Sequence, residues 1–260
     1  MIVAAFDDVI RTRRTTRAFR ADPVPRESLE RILALASTAP STFNTQPWRV
    51  IVLIGDAKLG LSRALLEAHA ANACPAHAPL PHAAPAECTR RLLDFGRRYY
   101  TALDIDRNDV AARARQTGRN FEFFDAPVGM IFTIHRALTE HSWLDYGLFL
   151  QNLMLAAHAN GLATCPQVSF VRYESVIARQ LGLSAEERVV CGLSLGYPDP
   201  EAAVNRLDMP RDQVDARWLG FGPVRQAQEV RSLRARLTTS RPSGTDGAAN
   251  RRMPGLPIGG

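Results

Sequence analysis

Ser142-Trp-Leu-Asp-Tyr-Gly-Leu-Phe-Leu-Gln-Asn-Leu-Met-Leu-Ala-Ala-His-Ala-Asn-Gly161 decides the fold. Ser142 followed three residues later by Asp145 reads as a capping box, and Gly161 as the stop of the helix it opens. The helix is apolar nearly all round, which predicts burial at the centre of a domain. Its longest apolar run, Leu144 to Ala159, still carries Asp145, Gln151, Asn152 and His158, so it is not a membrane span.

Around it the hydrophobic pattern alternates between helix and short strand. Trp48 to Ile54, Val128 to Ile134 and Val189 to Leu195 are apolar, β-branched runs of strand length. Helical patterns lie between them: Pro25 to Pro40, about Ala57 to Asn72, 87–117 with a break near Asp104, Arg172 to Leu181 stopped by Gly182, and Pro223 to Leu237. Residues 73–86 are rich in Ala, Pro and His and read as a loop. Residues 238–260, made of Ser, Gly, Pro and Arg, read as a disordered basic tail. No repeat or linker interrupts 1–237, so one α+β domain is expected there.

The 260 residues are 46% apolar and 22% charged, ordinary for a globular chain. The charge of +6 is less ordinary, and Lys58 is the only lysine among 32 basic residues. Such a chain invites a nucleic-acid reading. Locating the charge weakens it. Seven arginines from Arg225 onward face only Glu229 and Asp246, so that segment holds +5 of the +6 and the body is nearly neutral. The tail arginines lack interleaved aromatics, so no single-strand stacking surface is indicated. Met1 to Asp8 has no basic n-region and does not read as a signal peptide. Four scattered cysteines without a CxxC pair fit a reduced, cytoplasmic protein.

Three motifs fail on their context. Gly192-Leu-Ser194-Leu-Gly196 matches a nucleophile elbow, but no histidine follows His158, so the hydrolase order is impossible. Cys74, His77, His82 and Cys88 are spread through a loop without the spacing of a zinc site. No glycine-rich dinucleotide or P-loop signature is present.

Four further segments together suit a phosphate and a flat polar ring. Arg13-Arg-Thr-Thr-Arg-Ala-Phe19 offers guanidinium forks and hydroxyls. Ala39-Pro-Ser-Thr-Phe-Asn-Thr-Gln-Pro-Trp48 is a stiffened run of small polar side chains. Gly161 to Phe170 follows the central helix, and Gly196-Tyr-Pro-Asp-Pro200 leads to Asn205 and Arg211. In this order, from about Phe6 to Phe221, the segments resemble the nitroreductase family of flavin enzymes. Arg119 to Pro127 and Thr164 to Gln167 resemble its nitrobenzoate reductase-like branch.

The resemblance implies a mainly antiparallel central sheet flanked by helices, in an intertwined homodimer with two FMN sites at the subunit interface. By position, Arg13, Arg14, Thr15 and Arg17 would hold the phosphate and the pyrimidine edge. Pro40, Ser41, Thr42 and Asn44 would reach the same flavin from the partner. Asn120 would donate to the ring, Val168 and Ser169 would offer backbone N–H groups near N5 and O4, and Arg211 would bind the phosphate end. The branch's N-x-x-R-x-x-R pattern is broken here, where Asp208 stands at the middle arginine and Arg206 lies nearby. The implied activity is NAD(P)H-dependent reduction of nitroaromatic compounds by alternating half-reactions, with NADH or NADPH as co-substrate. Reduction of quinones or enones, reductive dehalogenation and flavin destruction are alternatives on the same fold. A basic nucleic-acid-binding protein is the alternative from another class.

Overall fold

The computed structural model describes residues 6–71, 84–138, 140–216 and 219. The chain divides into two compact units, Met1–Met209 and Pro210–Gly260. The second is described only over 210–216 and 219, where it is exposed and irregular. The expected helix at 223–237, the tail at 238–260 and nearly all of the 73–86 loop lie outside the described residues.

The first unit runs α1 (Phe6–Thr12), α2 (Arg26–Ala36), β1 (Arg49–Leu53), α3 (Gly55–Ala70), α4 (Ala86–Ala102), α5 (Val110–Gly118), β2 (Val128–His135), α6 (Glu140–Ala159), β3 (Ala163–Gln167), α7 (Glu174–Leu181) and β4 (Glu187–Gly196). Four strands form one antiparallel sheet in the order β1-β2-β4-β3. Central β2 is buried along nearly its whole length, and its alternate side chains serve two cores. Val128, Met130, Phe132 and Ile134 meet α2 and α6 through Leu29, Ile32, Phe149 and Leu153. Ile131 faces the other way, among Leu61 and Leu65 of α3, Phe170, and Ile177 of α7. The sheet is thus covered by helices on both faces.

The decisive helix is corrected in two respects. It starts at Glu140, a turn's fraction before the expected box, so Ser142 and Asp145 both lie inside it and are buried. Nor is it covered all round, since Leu144, Gly147, Leu148 and Gln151 line an exposed strip. Its end agrees with the sequence, with Gly161 at φ +75, a left-handed conformation that glycine adopts without strain.

A fourth strand, β3, was not expected. Pro166 sits within it, and proline cannot donate to a sheet ladder. The strand tolerates it because β3 is an edge. Residues 168–173, expected to open as helix at Arg172, are a 3-10 helix leading into α7.

Candidate functional site

The first segment begins where α1 ends. Thr15 forms a parallel bridge to Thr164 on β3, and the Thr16 N–H donates to the Thr164 carbonyl at 3.0 Å. The third segment is therefore laid against the first. The fourth joins them through Asn205. Its Oδ1 accepts the Arg17 N–H at 2.8 Å, while its Nδ2 donates to the carbonyls of Ala18 and Asp199. One amide thus fastens the Gly-Tyr-Pro-Asp-Pro turn to the arginine-rich segment.

Asn120 comes to the same place through buried Gln167. Gln167 Nε2 donates to the Asn120 carbonyl at 2.7 Å and to its Oδ1 at 3.4 Å, and Gln167 Oε1 accepts from Ser194 Oγ at 2.7 Å. One N–H of Asn120 Nδ2 donates to the Thr117 carbonyl at 3.0 Å. Gln167 belongs to the Thr164–Gln167 motif, to which the sequence alone assigns no role for this side chain. No local pattern could have signalled it, because the strand that ends at Gln167 does not read as one in the sequence. The same bonds explain the false elbow. Ser194 is fully buried in mid-strand, with its hydroxyl engaged. Gly192 and Gly196 are glycine because a Cβ there would lie 2.6 Å from the Phe170 ring and 2.6 Å from Pro127.

Electrostatics at this junction are set by Arg13, Arg14 and Arg17. The Arg14 guanidinium lies 3.8 Å from Asp208, with both side chains more than half exposed. Arg206 turns instead to the carbonyls of Pro200 and Glu201 in its own loop. Asp208 therefore faces the first segment, and Arg206 does not take the missing arginine's place there. Arg17 lies beside Cys165, whose thiol is pushed up to about 11 by burial, against the pull of that cation. His158 Nε2 is 2.8 Å from Thr12 Oγ1. Burial, and then the charge of Arg13, hold that imidazole below its ordinary value.

After β3 the chain enters the 3-10 helix at Val168, where the first N–H groups of a helix lack intrahelical acceptors. Val168 is exposed, and among the described residues Ser169 Oγ is buried without a hydrogen-bond partner. Such an orphan calls for a ligand or an unseen partner.

The second segment is not at this junction. Thr42 is tied to Asp145 of α6, its N–H to Oδ2 at 3.0 Å and its hydroxyl to Oδ1 at 3.2 Å. Ser41 Oγ accepts the Gln46 N–H. Phe43, Asn44 and Gln46 all take positive φ, and the Phe43 ring is 97% exposed. Strained, exposed backbone of this kind is characteristic of ligand clamps. Asp145 and His158 are thirteen residues apart on α6, which at 1.5 Å per residue separates the loop from the first segment by about 20 Å. The sheet agrees, because the loop runs into edge strand β1 and the third segment occupies the opposite edge, β3. Within one chain, Arg13, Arg14, Thr15, Arg17, Asn120, Val168 and Ser169 are brought together, while Pro40, Ser41, Thr42 and Asn44 stand apart. Arg211 belongs to the second unit, where its Nη1 donates to the Pro210 carbonyl at 3.2 Å.

A helix-flanked antiparallel sheet with a cationic, hydroxyl-rich junction at one edge defines an α+β protein. The chain belongs to the nitroreductase family, whose profile matches residues 10–197, and to its nitrobenzoate reductase-like branch. It is 46% identical over 218 residues to a 4-nitrobenzoate reductase of Pseudomonas putida, covering 83% of this chain and 96% of that one. It is 41% identical to a chloronitrobenzene nitroreductase of Comamonas testosteroni, over 80% of this chain and 93% of that one. The crystal structure of an FMN-dependent nitroreductase of Mycobacterium smegmatis in complex with NADPH superposes with a TM-score of 0.77 at 34% identity, covering 82% of this chain and 97% of that one. Among the described residues no helix is long and apolar enough to cross a membrane.

Proposed function

We propose that the protein is an FMN-dependent oxidoreductase that uses NAD(P)H to reduce nitroaromatic compounds in alternating half-reactions, as a homodimer. Family membership and the activities for which its relatives are named support the reaction class. The observation that carries the site is the junction at Thr15 and Thr164, where cations, hydroxyls and an orphaned buried Ser169 Oγ converge.

That donor set fits FMN. Arg13 and Arg14 supply forks for a phosphate, and Thr15 a hydroxyl for a carbonyl. Val168 and Ser169 supply backbone and hydroxyl donors for the ring's polar edge. Bound FMN would supply the hydride chemistry, which needs no side-chain nucleophile. The residues supply position and charge, since fixed cations and N–H groups favour negative charge on the pyrimidine without reorganisation. Asn120 acts through its carbonyl contact with Gln167, which holds the end of β3. Arg211 is proposed for the phosphate end.

The separation of the second segment supports the two-copy reading. A site needing Pro40, Ser41, Thr42 and Asn44 beside Arg13 and Ser169 requires the loop of one chain to meet the junction of another. The exposed strip Leu144, Gly147, Leu148 and Gln151 on α6 supplies an apolar face for that contact. Nitroaromatic acceptors are the proposed substrates, and cytoplasmic residence is proposed from cysteine usage alone.

The test is the visible spectrum of the purified protein, followed by NAD(P)H consumption with and without a nitrobenzoate. Oxidised-flavin absorbance and acceptor-dependent consumption are expected. A colourless protein that takes up no added FMN would sink the reading.

A further inference from the structure

We propose that Phe95 and Tyr99 are positioning residues for Arg17, holding its guanidinium by the face so that its edges remain available to the flavin. This rests on the FMN reading above. Arg17 Cζ lies 5.3 Å from the Phe95 ring centroid and 5.1 Å from that of Tyr99. Both are within cation–π range. The two rings, four residues apart on α4, are stacked at 5.5 Å and 12°. Arg17 Cζ is thus about equally close to both members of this stacked pair.

The surface is itself held. Tyr99 is buried, and its hydroxyl accepts from Gln116 Nε2 of α5 at 2.7 Å, so α4 is fixed from the far side. The Arg17 backbone is fixed by Asn205. Among the described residues no carboxylate or hydrogen-bond acceptor engages the Arg17 guanidinium. This separates it from Arg14, which faces Asp208. A guanidinium laid flat on an aromatic face keeps its five N–H donors in its own plane, parallel to that face and free for other partners. Aromatic faces can therefore restrain this long side chain without consuming the donors a ligand would need, which a carboxylate partner could not do. Arg17 acts on Cys165 of edge strand β3, which sets the guanidinium beside that edge.

The test measures FMN affinity and the midpoint potential of the bound flavin in the full-length protein. Phe95→Leu and Tyr99→Leu are expected to weaken FMN binding about five-fold each and to lower the potential. Tyr99→Phe, which keeps the ring, is expected to retain both. In an Arg17→Ala background the leucine substitutions should add nothing, because the interaction they remove is already gone. Equal losses in both backgrounds would overturn the proposal by showing that the rings act through the fold. Phe95, only partly buried, is the variant that keeps the fold if Tyr99→Leu does not. Unchanged affinity in Arg17→Ala would overturn the proposal while leaving FMN binding intact. A protein that binds no FMN at all would instead remove the reading beneath it.

Discussion

The Asp145 carboxylate, buried inside α6, accepts both the N–H and the hydroxyl of Thr42, and so anchors a loop with three positive φ angles to the central helix. Replacing Asp145 with Asn keeps the shape but turns an amide donor toward Thr42. We expect a loss of about 1–3 kcal/mol, read from urea unfolding. Flavin retention should fall with it, since the loop is no longer held.

The Arg14–Asp208 pair makes a prediction of opposite sign. Both groups are largely exposed, so the pair contributes little stability. Asp208→Asn should leave the melting temperature unchanged while tightening FMN binding a few-fold, because an anion beside the phosphate cations is removed. The gain should shrink as salt is raised. Arg13→Ala should weaken FMN about tenfold or more, for loss of a charge-assisted bond of about 1.5–3 kcal/mol. Fluorescence titration of FMN checks both variants.

Gly192→Ala should destabilise the protein by about 1–3 kcal/mol, because its Cβ would meet the Phe170 ring at 2.6 Å. Calorimetry of the purified variant measures this. A variant as stable as the parent would mean that the ring moves freely.

His158 predicts a pH dependence. Its folded pKa is depressed, chiefly by burial and then by Arg13. The unfolded chain therefore binds this proton more readily than the folded one. The stability it contributes is present above the ordinary histidine range and is lost as pH falls through about 6.5 toward the folded value. The melting temperature should drop over that window, and His158→Gln should flatten the drop.

Much of this was legible in the sequence, and particular residues show why the rest was not. Val128 to Ile134 announced a buried strand because both its faces meet cores. Ala163–Gln167 did not, because an edge strand carries small residues and can hold Pro166, so its pattern resembles a loop. Ser142 and Asp145 imitated a helix start by spacing, whereas the Asp145 partner is Thr42, 103 residues earlier. A long-range partner leaves no local trace. The arginine-rich segment was visible as a motif, but stacking of Arg17 on α4 depends on tertiary packing. Asp208 was visible as a departure, and only the fold shows that it faces Arg14.

The length of α6 has a genetic consequence. It keeps the Asp145-anchored loop and the Arg13 segment about 20 Å apart in one chain. On the two-copy reading, each chain donates one half to each of two composite sites. A chain damaged at Thr42 and another damaged at Arg13 would each be inactive alone. Mixed in one assembly, they would pair one doubly damaged site with one wholly intact site, so two defective alleles would complement each other.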